Sequence, residues 1–209
     1  MYSDESIKKY LNDLAARLPA PGGGSSAALA AAMASALISM VLNFSIGNEA
    51  YKNFEKTAKE ILRKVEDLRN KFVKFFDDDI QAYESVSKAY KLPKDTEANK
   101  IRRKRAIKEA VKQAILVPLH VCQYSIEAIR LLPDLARNAN KNLICDVEVP
   151  VRLLEAAFYS ARINVIMNLK NIEDDEFKKD IANQLANLEK ELIKYKETSE
   201  KEISKIVGG

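Results

Sequence analysis

Three carboxylates, Asp77, Asp78 and Asp79, follow one another inside a segment whose apolar residues have helical spacing. Successive residues of an α-helix point about 100° apart, so at least one of the three must face the interior. Asp79 lies between Phe76 and Tyr83 at core spacing, which predicts that it points inward and that its two neighbours are solvated. An inward carboxylate is costly unless it is paired or functional. We therefore favour a functional role for Asp79 over a purely structural one.

A glycine-rich junction precedes a long uncharged segment and has the sequence Pro19-Ala20-Pro21-Gly22-Gly23-Gly24-Ser25-Ser26. Proline disfavours helix before it, and glycine allows both a positive φ and the close approach of a ligand. Ser25 or Ser26 is suited to cap the helix that follows. A helix that begins with small residues leaves the backbone N–H groups of its first turn accessible, which favours an anionic or carbonyl-bearing ligand. The alternative is a tight turn that lets two helices pack closely.

Amide side chains dominate a third region, Asn138–Asp146, which includes Asn140 and Asn142 and ends in a carboxylate. Asparagine tolerates turn conformations, so a plain loop is one interpretation, and Asp146 is suited to cap the next helix. The same amide donors and acceptors also suit a heterocycle with several polar edges.

Further polar residues stand in apolar or basic surroundings. Asn164 and Asn168 are four residues apart in an apolar stretch, so each needs a partner from the fold or from a ligand. His120 is the single histidine, and its apolar neighbours favour a packed structural role. The basic run Lys100–Arg105 is predicted to be a solvated face, with an anionic partner as the alternative.

Composition narrows the functional class. A net charge of +4 over 209 residues is too small to indicate binding to nucleic acid or to a membrane surface. Cys122 and Cys145 lack metal-ligand spacing and are predicted to be free thiols. The N-terminus has no export signal, which predicts a cytoplasmic protein, and we find no metal-ligand motif, phosphate-binding loop or nucleophile elbow.

The apolar periodicity predicts an all-α, single-domain bundle of about six helices over residues 1–209. The helices are predicted at about 7–18, 25–46, 50–90, 97–132, 147–169 and 174–206, with a kink at Pro118 and an irregular segment over 133–146. The segment 25–46 is long enough to cross a membrane. Its small residues and its flanks, which lack an aromatic belt, favour instead a buried central helix.

Several short motifs resemble the cyclodeaminase/cyclohydrolase family, which comprises the cyclodeaminase part of formiminotransferase-cyclodeaminase and the stand-alone methenyltetrahydrofolate cyclohydrolases. They extend over about residues 5–175 and keep their order and spacing. They are the junction 19–25, Asp79-Ile80-Gln81-Ala82-Tyr83, Ala89-Tyr90-Lys91, Val117-Pro118-Leu119, Asn140-Lys141-Asn142-Leu143 with Asp146, and Asn164-Val165-Ile166-Met167-Asn168-Leu169-Lys170. Two departures, Ala139 for the usual glycine and Cys145 for the usual serine, leave residue roles near the asparagines open.

The resemblance implies an enzyme of folate one-carbon metabolism that hydrolyses 5,10-methenyltetrahydrofolate to 10-formyltetrahydrofolate. The alternatives are a 5-formiminotetrahydrofolate cyclodeaminase and a folate-binding protein without activity. It also implies a homodimer, a folate substrate with one or several glutamates, and neither metal nor cofactor. Asp79 and Asp146 are then the catalytic candidates. The substrate-binding candidates are Pro21, Gly22, Gly23, Gly24, Ser25, Asn140, Asn142, Asn164 and Asn168.

Overall fold

The computed structural model describes residues 1–208, and within that range it contains helices and short 3₁₀ turns but no β-strand. The all-α bundle predicted from the sequence is confirmed. The α-helices are α1 (Ile7–Ala15), α2 (Gly23–Ser45), α3 (Glu55–Tyr90), α4 (Glu97–Ile129), α5 (Leu132–Asn138), α6 (Ile144–Leu169) and α7 (Asp175–Val207). The 3₁₀ turns are Tyr2–Asp4, Glu49–Tyr51 and Lys141–Leu143.

Four long helices form the core. The central helix α2 packs against α3 and α6, and α4 packs against the same two helices on the other side. Ala28, Ala31 and Ala34 are fully buried on α2, so small side chains let its neighbours approach closely. The outer helix α7 lies along α4, α5 and α6.

Among the described residues, α2 and the stretch Glu97–Asn138 are long and apolar enough to cross a membrane. In each, 56% of the most apolar window is buried inside the protein, as in the core helix of a bundle. Gly47, with a φ of +77°, follows α2 and turns the chain, which confirms the stop predicted there.

The structure differs from the prediction between 133 and 146, where an irregular segment was expected. Helix α5 forms there because Leu132, Leu135 and Ala136 recur at helical spacing and are buried in the core. Helix α6 then begins at Ile144, earlier than predicted, which places Asp146 inside its first turn. The prediction that Asp146 caps this helix is therefore wrong.

The first four residues fold back as an N-terminal strap over α3. Asp77 accepts hydrogen bonds from the backbone N–H groups of Tyr2 and Ser3, at 2.8 and 3.3 Å. The Tyr2 hydroxyl donates to Asp13 of α1 at 2.7 Å. Asp77 is only 6% exposed, so the prediction that it is solvated is wrong: the strap covers it and supplies its donors.

Candidate functional site

Asp79 lies against the start of α2. Its Oδ2 accepts a hydrogen bond from the backbone N–H of Ser25 at 2.9 Å. The N-terminal N–H groups of a helix lack backbone partners and carry partial positive charge, so this position stabilises a carboxylate. The prediction that Asp79 points inward is confirmed, whereas its predicted core neighbour Tyr83 is 47% exposed.

The cap of α2 is Gly22 rather than the predicted Ser25 or Ser26. Ser25 is the third helical residue, and its hydroxyl donates to the Gly22 carbonyl at 2.8 Å while lying 3.3 Å from the Gly22 N–H. The serine hydroxyls therefore bond backward across the first turn. Pro21, directly before the cap, is buried.

The three glycines of the junction have different surroundings. A Cβ added to Gly24 would lie only 2.0 Å from Oδ1 of Asp79. A Cβ added to Gly23 would lie 3.5 Å from Nδ2 of Asn164, and a Cβ added to Gly22 would meet no atom within 4 Å. None of the three has a positive φ, so the junction does not use the positive φ that glycine allows. Glycine is required at position 24 because the protein's own carboxylate occupies the space of a side chain.

Tyr10 of α1 was not among the predicted site residues. It is 3% exposed, and its hydroxyl lies 3.1 Å from the Ser25 hydroxyl and 3.0 Å from the Ser26 hydroxyl. Its ring packs against Phe76, one helical turn before Asp79, with the ring centres 4.8 Å apart. The signal was present in the sequence, since a tyrosine at a core position of α1 needs a partner for its hydroxyl.

Burial raises the pKa of Asp79, and the hydrogen bond from Ser25 offsets part of that rise. The net direction is upward because desolvation outweighs the single N–H donor. A carboxyl with a raised pKa is a better proton acceptor at neutral pH than an ordinary aspartate.

The two asparagines of α6 have separate roles. Asn164 donates to the Ser160 carbonyl at 2.9 Å and lies beside Gly23, at the same end of α2 as Asp79. Asn168 donates to the carbonyl of Ala114 at 2.8 Å. Pro118, four residues after Ala114, has no N–H for that carbonyl, so the amide of Asn168 replaces the missing helix bond.

Asn140, Asn142 and Asp146 gather at the opposite end of α2; we call them the asparagine end. Oδ1 of Asn140 accepts hydrogen bonds from the Tyr51 hydroxyl at 3.1 Å and from the Asn142 N–H at 3.0 Å. A cavity of about 570 Å³ adjoins this loop and is lined in part by Tyr51, Asn138 and Lys141. Within residues 1–208 the half-buried Asp146 side chain makes no hydrogen bond.

We call Gly22–Ser25, Asp79 and Asn164 the Asp79 end. The 23 residues of α2 place the two ends about 34 Å apart along its axis. On α6, the 18 residues from Asp146 to Asn164 correspond to about 27 Å. A single chain therefore does not bring all the predicted site residues together.

His120 has the packed role predicted for it, since its ring stacks on Phe75 with the ring centres 5.5 Å apart. Burial, and then the nearby charge of Lys74, lower the pKa of His120. Burial raises the pKa of the Cys122 thiol to about 12, and Cys145 is exposed. Across residues 1–208, no three histidine, cysteine, aspartate or glutamate side chains gather as metal ligands.

The model of the formiminotransferase-cyclodeaminase family matches residues 6–187. The chain belongs to this family. It is 39% identical, over 188 residues and 90% of each chain, to the methenyltetrahydrofolate cyclohydrolase of Methylorubrum extorquens. It is 33% identical over 182 residues to the formimidoyltransferase-cyclodeaminase of Sus scrofa, with 87% of this chain and 34% of that protein covered. The chain thus spans about a third of the formimidoyltransferase-cyclodeaminases that it matches.

A solved structure has the same fold. The formiminotetrahydrofolate cyclodeaminase of Thermotoga maritima superposes with a TM-score of 0.88 at 31% identity, covering 99% of this chain and all of that one. The family resemblance drawn from the motifs is confirmed. The roles of the individual site residues stay predictions.

Proposed function

We propose that this protein is an enzyme of folate one-carbon metabolism that hydrolyses 5,10-methenyltetrahydrofolate to 10-formyltetrahydrofolate. The observation that carries this proposal is the similarity to a methenyltetrahydrofolate cyclohydrolase over 90% of both chains. The position of Asp79 supports it, because a half-buried carboxylate at a helix start suits chemistry on a cationic carbon.

The reaction needs one proton carrier near the substrate cation. A water oxygen adds to the carbon between N5 and N10 while Asp79 takes a proton from that water. The bond from this carbon to N5 then breaks as the added oxygen loses its second proton and becomes the formyl carbonyl. N5 takes up one of the two water protons, the other leaves to solvent, and the formyl group stays on N10. Because the amidinium carbon is already electrophilic, we propose that no metal or cofactor takes part.

A 5-formiminotetrahydrofolate cyclodeaminase is the second candidate, favoured by the match to a solved cyclodeaminase along the whole chain. Two parallel assays of the purified protein separate the candidates. Loss of methenyltetrahydrofolate absorbance without ammonia supports the cyclohydrolase, and ammonia release from 5-formiminotetrahydrofolate supports the cyclodeaminase. Saturable folate binding without turnover in either assay would support a binding protein and overturn the enzyme proposal.

The variant Asp79→Asn tests the proposed proton carrier. The asparagine oxygen can still accept the Ser25 hydrogen bond, so we expect a folded protein whose turnover falls by about 100-fold or more. Asp78→Asn is the matched control, because Asp78 is the adjacent carboxylate and pairs with Lys74. Near-normal turnover in Asp79→Asn would contradict the role.

We further propose a cytoplasmic homodimer whose site combines the Asp79 end of one subunit with the asparagine end of the other. The two ends lie at opposite ends of α2, and an antiparallel two-fold pairing brings opposite ends of two copies together. One subunit would then supply Asp79 and the other Asn140, Asn142 and Asp146. A dimer with this symmetry has two such sites.

An exposed apolar face on α2 and α6 supports this pairing. On α2, Met33 is 47% exposed and Phe44 is 59% exposed. Helix α6 packs against α2, and on it Ile163 is 61% exposed and Met167 is 52% exposed. Helix α2 has no charged residue. Large exposed apolar surfaces of this kind mark protein interfaces. We call these four residues, with the exposed Ala36 of α2 and the exposed Val149 of α6, the apolar face.

Mixing two inactive variants tests the shared site. If Asp79→Asn and Asp146→Asn are each inactive, random subunit exchange in an equal mixture makes half of the dimers mixed, each with one intact site. We expect the mixture to recover about a quarter of the wild-type activity. Absence of recovery after verified exchange, or full activity in Asp146→Asn alone, would overturn the shared site while leaving the Asp79 proposal to its own test.

A further inference from the structure

A basic groove lies at the end of the bundle where α3 meets α4 and α6 meets α7. We define it by the cations Lys94, Lys100, Arg103, Lys104 and Lys108, with Asn171 and Glu173 on its wall. It encloses about 570 Å³, which is within the range of small-molecule sites. Its apolar floor is Ile107 and the 3% exposed Ile172.

The ion pairs of the groove cations are exposed or long: Lys100 pairs with Glu97 of the same helix at 2.6 Å, with side chains 56% and 81% exposed. Lys104 reaches Glu173 at 3.4 Å with both side chains more than 80% exposed, and Lys108 lies 3.9 Å from Asp174. Exposed pairs of this kind contribute little to stability, so their lysines can exchange a protein carboxylate for a ligand at small cost. Five lining cations against the lining Glu173 and the adjoining Glu97 and Asp174 leave the groove with a net positive charge.

The cations also have a regular spacing. Lys100, Lys104 and Lys108 follow one another at intervals of four residues, which aligns them along one face of α4 about 6 Å apart. Arg103 is held beside them, because its guanidinium donates to the Tyr90 carbonyl at 3.2 and 3.3 Å. Positive charge near the start of a helix opposes the helix dipole, and a bound anion would remove that cost.

We propose that the basic groove binds a small linear anion whose negative charges are spaced to match this row of lysines. Two sources have this chemistry: a chain of carboxylates, such as the glutamate tail of a folate, and a chain of phosphates. The first source rests on the proposed function. The groove lies close to the Asp79 end, because α6 ends at Leu169, five residues or about 8 Å beyond Asn164, and Asn171 of the groove wall follows two residues later.

Direct binding measurements test the groove without any turnover. Isothermal titration of the full chain at low salt uses tri-γ-glutamate and tripolyphosphate as separate probes. The variant Lys100→Gln/Lys104→Gln/Lys108→Gln is compared with Lys56→Gln/Lys190→Gln/Lys201→Gln, which removes the same charge from exposed lysines elsewhere. We expect saturable binding of at least one probe, weakened tenfold or more in the groove variant and less than twofold in the control.

The two probes also identify the source. Binding of tri-γ-glutamate, together with a KM advantage of triglutamyl folate that the groove variant loses, assigns the groove to the substrate tail. Binding of tripolyphosphate alone assigns it to a phosphate compound. If wild type binds neither probe, or if both triple variants weaken binding equally, the proposal is overturned. Because these readouts use binding, an inactive but folded protein still tests the groove.

Discussion

The two ends of α2 differ in how their polar groups are held. At the Asp79 end, the carboxylate has a backbone donor in Ser25, and the serine hydroxyl has a partner in the buried Tyr10. At the asparagine end, Asn140 is held by Tyr51, whereas Asn142 is exposed and the Asp146 side chain makes no hydrogen bond within residues 1–208. The first end is preorganised by its own chain, and the second has polar groups free for a ligand or a second subunit.

This difference indicates a division of tasks. The proton carrier that we propose, Asp79, must be fixed in position, and the packing around its side chain fixes it. Side chains that bind the polar edges of a ligand need hydrogen-bond donors and acceptors that have no partner within the protein.

A charge on the apolar face tests whether the two ends depend on each other. We expect Ile163→Glu to convert dimers to monomers and to lower turnover at least tenfold, because a buried unpaired carboxylate is costly at an interface. Sedimentation velocity and the two folate assays measure this. Ile101→Glu is the control, since Ile101 is 70% exposed on α4 outside the apolar face. A monomer with full activity would show that each chain holds a complete site.

Gly24→Ala tests how tightly the Asp79 end is packed. The new Cβ would lie 2.0 Å from Oδ1 of Asp79, so the carboxylate or α2 must move. Overpacking of this kind destabilises a protein by about 1–3 kcal/mol. Chemical denaturation measures the change, and Gly22→Ala is the matched control because its Cβ meets nothing within 4 Å. Equal stability of both variants would mean that the junction is loosely packed.

The pH dependence of stability tests the surroundings of Asp79. Burial raises the pKa of Asp79 in the folded chain above its unfolded value of 3.8, so the folded state binds the proton more tightly. This contribution is present at low pH and is lost as the pH rises from about 4 through the folded pKa. We expect wild type to lose stability relative to Asp79→Asn across that window. Parallel curves for the two proteins would contradict the raised pKa.

Asn168→Ala tests a contact that serves the fold. Removing the hydrogen bond to the Ala114 carbonyl should cost about 1 kcal/mol of unfolding free energy. Pro118→Ala restores a backbone N–H for that carbonyl, so the cost of Asn168→Ala should shrink in this background. A double-mutant cycle measures the coupling. An unchanged cost in both backgrounds would assign Asn168 a role other than replacing the helix bond.

The sequence predicted the elements better than the contacts between them. Periodicity located the long helices and the inward position of Asp79, because both follow from local spacing. It missed the burial of Asp77, because the strap that covers this residue lies about 75 positions away along the chain. It also did not place Asp79 and Asp146 at opposite ends of α2, since a motif gives order along the chain but not the end of the bundle at which each part lies.

The N-terminal strap has a practical consequence for handling the protein. The backbone amides of Tyr2 and Ser3 are the donors to the buried Asp77, so trimming these residues would leave a carboxylate without its partners. Affinity tags and fluorescent fusions are therefore better placed after α7, where Val207 is 66% exposed.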